Sequence, residues 1–138
     1  MKGFPLLLFV VAAAGSPRPA AAGGLGCVKK VGLPSYSPAA RRSGGGSVTA
    51  RVRVGAGGAA ASVLASGANE VLRREVEASL KSDASYLESC EGQEVEFVFT
   101  FRLEGKAADY WPVRTLFRPP NHFILIARPM ESKGDARR

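Results

Sequence analysis

His122 is the only imidazole in this 138-residue chain, and general acid–base chemistry at neutral pH would turn to it first. A hydrolase would set it beside a serine and a carboxylate. The Ser, Asp and Glu residues near it in sequence form no recognisable catalytic motif. A histidine at the start of an apolar run ordinarily serves as a surface or core polar group, so a hydrolase here is an alternative that only a polar cleft around His122 would revive. Glu94 and Glu96 share one face of an alternating segment, as a carboxylate pair would. Arg51 and Arg53 alternate in the same way, and facing strands would turn the four into exposed ion pairs contributing at most about 1 kcal/mol each. Gly44-Gly45-Gly46 lacks the Lys-Ser or Lys-Thr that completes a phosphate loop, and no G-x-G-x-x-G pattern opens a helix. Cys27 and Cys90 are far apart, with one histidine to join them, which disfavours a zinc site. The expectation is no catalytic residue, no metal ligand and no cofactor.

The amino-terminal residues bear on how the cysteines are read. Residues 1–22 have the form of a secretory signal peptide: Lys2, an apolar run from Leu6 to Ala14, and Ala20-Ala21-Ala22 before Gly23. The run is far short of the roughly 20 residues a spanning helix needs. Pro5, Pro17 and Pro19 oppose a buried helix. The mature chain is therefore expected to be periplasmic or secreted, with no transmembrane anchor. In an oxidising compartment Cys27 and Cys90 form the only available intramolecular disulfide. It would close a loop of more than 60 residues, worth roughly 3–4 kcal/mol by chain entropy. The alternatives are two free thiols, or a lipoprotein with Cys27 as its first residue, although Gly24 stands where a leucine would be expected.

The formal charge is +7, from 19 basic and 12 acidic residues. Loss of Lys2 and Arg18 with the leader leaves 17 basic against 12 acidic, or +5. Arg41-Arg42 and Arg137-Arg138 concentrate part of the excess. Such runs suit anionic lipid or polysaccharide, or are simply solvated. Nucleic acid is disfavoured, since an exported chain shows no reading motif.

Hydrophobic periodicity supplies the frame. In 94–103, Val95, Phe97, Phe99, Phe101 and Leu103 share one side and Glu94, Glu96, Val98, Thr100 and Arg102 the other, the pattern of a strand with one buried face. Ser47 to Val54 alternates likewise, with Val48, Ala50, Val52 and Val54 inward. Gly55-Ala56-Gly57-Gly58 signals a hairpin, and Ala59 to Ala65 is its weak return strand. Asn69 caps a helix reaching about Ser82, with Leu72, Val76 and Leu80 on its apolar face. Residues 23–47 read as an irregular lead-in, because Pro34, Pro38 and the glycine run oppose regular structure. Residues 104–120 read as a loop, Asn121 to Ala127 as a last strand, and 129–138 as a disordered tail. The fold class is α+β: a small β-β-α-β domain over 48–128 with an additional C-terminal strand, its antiparallel sheet packed on one helix.

The ordered set of Pro34-Ser35-Tyr36-Ser37-Pro38-Ala39-Ala40, Gly46-Ser47-Val48, the Gly57-Gly58 turn, Ser66-Gly67, the amphipathic helix and the Phe-rich strand ending at Leu103 resembles the C-terminal domain of TonB. The likeness covers roughly 34–103. Residues 104–128 resemble an extension of stand-alone relatives, in which a Pro-Pro-Asn turn leads into a last strand. The resemblance implies a non-enzymatic periplasmic module that pairs with an extended segment of an envelope protein, such as an outer-membrane receptor, in a role linked to transport. The chain departs from the family at Tyr36-Ser37-Pro38, which splits a Tyr-Pro pair, and at Ala84, where an aromatic is usual. It also lacks the anchor and long Pro-rich spacer of an energy transducer. Asn121, Phe123, Ile124, Leu125 and Ile126 are the candidate partner-binding edge, or a homodimer seam, because this strand is apolar on both faces. The alternative function is a self-associating structural envelope protein with no peptide ligand.

Overall fold

A computed structural model describes residues 25–67, 69–107 and 112–130. Residues 1–22, expected to be a signal peptide, Tyr110, Trp111 and the tail from Glu131 lie outside these residues. In chain order the elements are β1 (Val28–Lys30), α1 (Pro38–Arg42), β2 (Gly46–Val54), β3 (Ala60–Gly67), α2 (Glu70–Ser82), β4 (Ser85–Tyr86), β5 (Glu94–Leu103), β6 (Arg114–Arg118) and β7 (His122–Ala127).

The two longest strands form as their alternation requires. β2 and β5 pair antiparallel, with Val48 opposite Phe99, Ala50 opposite Phe97 and Val52 opposite Val95. All six side chains are fully buried. The outward faces bring Arg53 opposite Glu94 and Arg51 opposite Glu96, and Arg53 forms a 3.3 Å ion pair with Glu94. β3 returns beside β2 through a turn in which Gly57 and Gly58 hold φ of 73° and 80°. At Gly58 a Cβ would also collide with the Tyr86 carbonyl, so this position requires glycine.

α2 covers the inner face of β2 and β3 and buries Leu72, Val76 and Leu80. Asn69 caps it, its side-chain oxygen accepting from the Leu72 amide at 2.9 Å. Each buried leucine contributes roughly 1.5–3 kcal/mol. The core continues through the stacked rings of Phe97 with Phe99 and Phe99 with Phe123, at centroid separations of 5.8 and 5.6 Å, and the half-exposed Phe117 ring lies tilted against Phe123 at 4.8 Å.

The fold is α+β, with a sheet packed against a helix, and it differs from the sequence reading in three places. The lead-in is not wholly irregular. It contains β1, which pairs with β4 in a two-stranded ribbon, and the short helix α1. Ser37 caps α1, accepting from the Ala40 amide at 3.2 Å, and Pro38 sits in the first turn, where its missing amide costs nothing. The 104–120 loop contains β6. The main sheet is mixed rather than antiparallel: its order is β3-β2-β5-β7-β6, with β7 parallel to β5 and antiparallel to β6.

The cysteines form a disulfide, with Cα atoms 5.8 Å apart and a sequence separation of 63. It fastens the start of β1 to the turn after β4, where the Leu87 amide also donates to the Cys27 carbonyl at 2.9 Å. No helix among the described residues is long and apolar enough to cross a membrane.

Candidate functional site: the two sheet edges

The strand 121–127 is not an edge. β7 lies between β5 and β6 and is hydrogen-bonded on both sides. Apolar residues on both faces belong to a strand paired and covered within its own sheet, as parallel neighbours commonly are. Phe123 and Leu125 enter the core facing α1 and α2, whereas Ile124 and Ile126 are buried on the opposite face. Asn121 joins β7 to β5: its carbonyl accepts from the Val98 amide at 3.0 Å, and its side-chain amide donates to the Glu96 carbonyl at 2.9 Å. The five residues expected to capture a partner are therefore committed inside the fold.

His122 has a similar part. Its Nε2 lies 2.8 Å from Thr100 Oγ1, which lies 2.8 Å from Ser47 Oγ, so a polar row crosses β2, β5 and β7 on the outer face. No carboxylate belongs to this row. No group of three or more His, Cys, Asp and Glu among the described residues could hold a metal ion.

Among the described residues, the strands of the main sheet with a free side are β3 and β6. β6 is exposed along its whole length. Arg114, Leu116 and Arg118 stand opposite Ile126, Ile124 and His122, on the outer face. Thr115 and Phe117 stand opposite Leu125 and Phe123, on the core face. Leu116 and Phe117 remain 42% and 48% exposed, a large apolar share for a strand bounded by two arginines.

Beside β6, on the core face, is an open groove of about 430 Å³. Leu125 and Thr115 line it from the sheet, Leu33 and Tyr36 from the segment before α1, Arg41 from α1, and Val113 from the approach to β6. The far wall is fixed by several contacts. The Tyr36 ring meets Phe101 edge-on at 5.1 Å, and its hydroxyl donates to the Gly44 carbonyl at 2.9 Å. Burial pushes the Tyr36 phenol up to about 12, against the downward pull of Arg41. Arg41 Nε donates to the Tyr36 carbonyl at 3.0 Å, and Ser37 Oγ donates to Glu75 on α2 at 3.0 Å. The groove thus offers an apolar floor, a wall that includes Arg41, and an adjacent row of backbone groups with no second strand beside them among the described residues.

Sequence reasoning missed β6. Its five residues lack a buried alternating face, and only the Pro119-Pro120-Asn121 turn between two short runs hinted at a hairpin. Comparison with known proteins adds no assignment: no protein-family model, curated protein or solved structure matches the chain.

Proposed function

We propose that this chain is a non-enzymatic, exported binding module that captures an extended segment of an envelope protein by adding it as a strand along β6. One observation carries this reading: a fully exposed edge strand runs beside a groove able to receive side chains from an added strand. In strand addition, main-chain hydrogen bonds supply affinity and pockets for alternate side chains supply selectivity. Here alternate residues of the guest would face the Leu33–Tyr36–Leu125 groove, which favours apolar side chains. The intervening residues would face Arg114 and Arg118, which favours carboxylates. The disulfide and the resemblance to the TonB C-terminal domain support an envelope setting and this mode of pairing.

The test uses defined probes: short extended peptides alternating valine with aspartate, the same peptides with lysine for aspartate, and aspartate peptides N-methylated at alternate residues. The aspartate peptides are expected to slow amide exchange in Arg114–Arg118 and to shift the resonances of Thr115 and Tyr36. The lysine and N-methylated series are expected to do neither. Absence of binding by the aspartate series, or protection confined to another part of the sheet, would overturn the proposal.

A further inference from the structure

The opposite edge differs from β6 in chemistry, and we infer that it receives a second copy of this chain, β3 pairing antiparallel with β3 about a two-fold axis at Leu64. Natural edge strands are commonly blunted by charge, proline or a bulge. β6 carries Arg114 and Arg118 and is flanked by Pro112 and Pro119. β3 has eight residues, Ala-Ala-Ser-Val-Leu-Ala-Ser-Gly, with no charge and no proline, and its only register shift lies at the Ala60 end. Leu64, near its middle, is 71% exposed, more than any other large apolar residue described.

The strand is complementary to itself. A two-fold at Leu64 places Leu64 opposite Leu64 of the second copy, Ser62 opposite Ser66, and Val63 opposite Ala65. The leucines would cover each other and the hydroxyls would face each other across the seam, as an isologous interface requires. The same operation on β6, centred on Leu116, would set Arg114 directly against Arg118 twice, and opposed like charges destabilise a strand pair. The charge pattern therefore permits self-pairing at β3 and rejects it at β6.

The surroundings agree. Arg51 stands opposite Leu64 within one chain. The two Arg51 residues of the dimer would be three strand spacings apart, about 14 Å, beyond the roughly 8–10 Å over which exposed charges act in physiological salt. α2 lies over β2 and β3, so the two helices would approach to about 10 Å, the ordinary distance of packed helices. The resulting sheet would be continuous and would leave a β6 edge free at each end.

Leu64→Cys tests the geometry, using the full chain expressed for export and purified as the host leaves it. Directly opposed residues of an antiparallel pair have Cα atoms roughly 4.5–5.5 Å apart, within reach of a disulfide. In a thiol–disulfide buffer this variant is expected to form a covalent dimer, whereas Leu116→Cys on β6 is expected not to. Sedimentation of the unmodified protein up to about 1 mM should show a reversible dimer, and Leu64→Lys should weaken it at least tenfold with its circular dichroism unchanged. A monomer throughout that range overturns the inference. So does equal crosslinking of the two cysteine variants, or a dimer unaffected by Leu64→Lys.

Discussion

Replacing both cysteines by alanine isolates the contribution of the bridge. The 63-residue separation enters the chain-entropy relation through its logarithm and gives about 4 kcal/mol at 25 °C. Domains of this size have roughly 5–15 kcal/mol in total, so the variant should stay folded, with only about 1 kcal/mol left if the native stability lies at the lower end of that range. Urea unfolding of the oxidised protein and the variant, each followed by near- and far-ultraviolet circular dichroism, measures the difference. The variant's unfolded chain is no longer clipped and exposes more surface, so its denaturant slope should rise. Stability extrapolated to water is therefore the proper comparison, not the transition midpoint alone. A loss near 4 kcal/mol with a steeper slope is the expected result. A loss below about 1 kcal/mol with an unchanged slope would refute the reasoning: the segment from Cys27 to Cys90 would then be held together in the unfolded state by something other than the bridge.

Gly32→Ala should destabilise by roughly 2–4 kcal/mol, read as a fall in the thermal midpoint, because a Cβ there would lie 2.5 Å from the Ser79 carbonyl oxygen and 2.8 Å from the Ala84 amide nitrogen. Burial raises the phenols of Tyr36 and Tyr86 from 10 to about 12 in the fold. Above pH 10 the unfolded chain releases these protons while the native chain retains them, so stability is fully present below pH 10 and is lost as pH rises toward about 12. Urea titrations across this window should show the decline, and Tyr36→Phe with Tyr86→Phe should flatten it.

The sequence was most legible where one face of an element is buried and the other is wet. Val95 to Phe101 and Val48 to Val54 announced their strands and their inner faces, and Asn69 with Leu72, Val76 and Leu80 announced α2, because amphipathic periodicity is written directly into residue order. The disulfide was legible through compartment and count. Elements whose stability comes from neighbours were not. β6 has an outer face of arginines around a leucine and takes its conformation from pairing with β7. α1 spans five residues, too short for a period, although Ser37-Pro38 carried a start signal. Apolarity on both faces of 121–127 suggests, from sequence alone, a strand that needs a partner. In β7 it reflects a place between two strands of the same sheet.

The position of β7 also fixes an order of events. β5 finds its neighbour on one side, β2, in residues already synthesised, but its neighbour on the other side is made about 20 residues later. As the chain emerges from amino to carboxyl terminus, the open side of the Phe97–Phe99–Phe101 strand is a temporary edge until the β6–β7 hairpin arrives to close it. A chain truncated soon after Leu103 would present a long, aromatic strand open on one side, a common starting point for association between chains. The last hairpin thus completes the sheet and ends the interval in which the molecule is most exposed to its own copies.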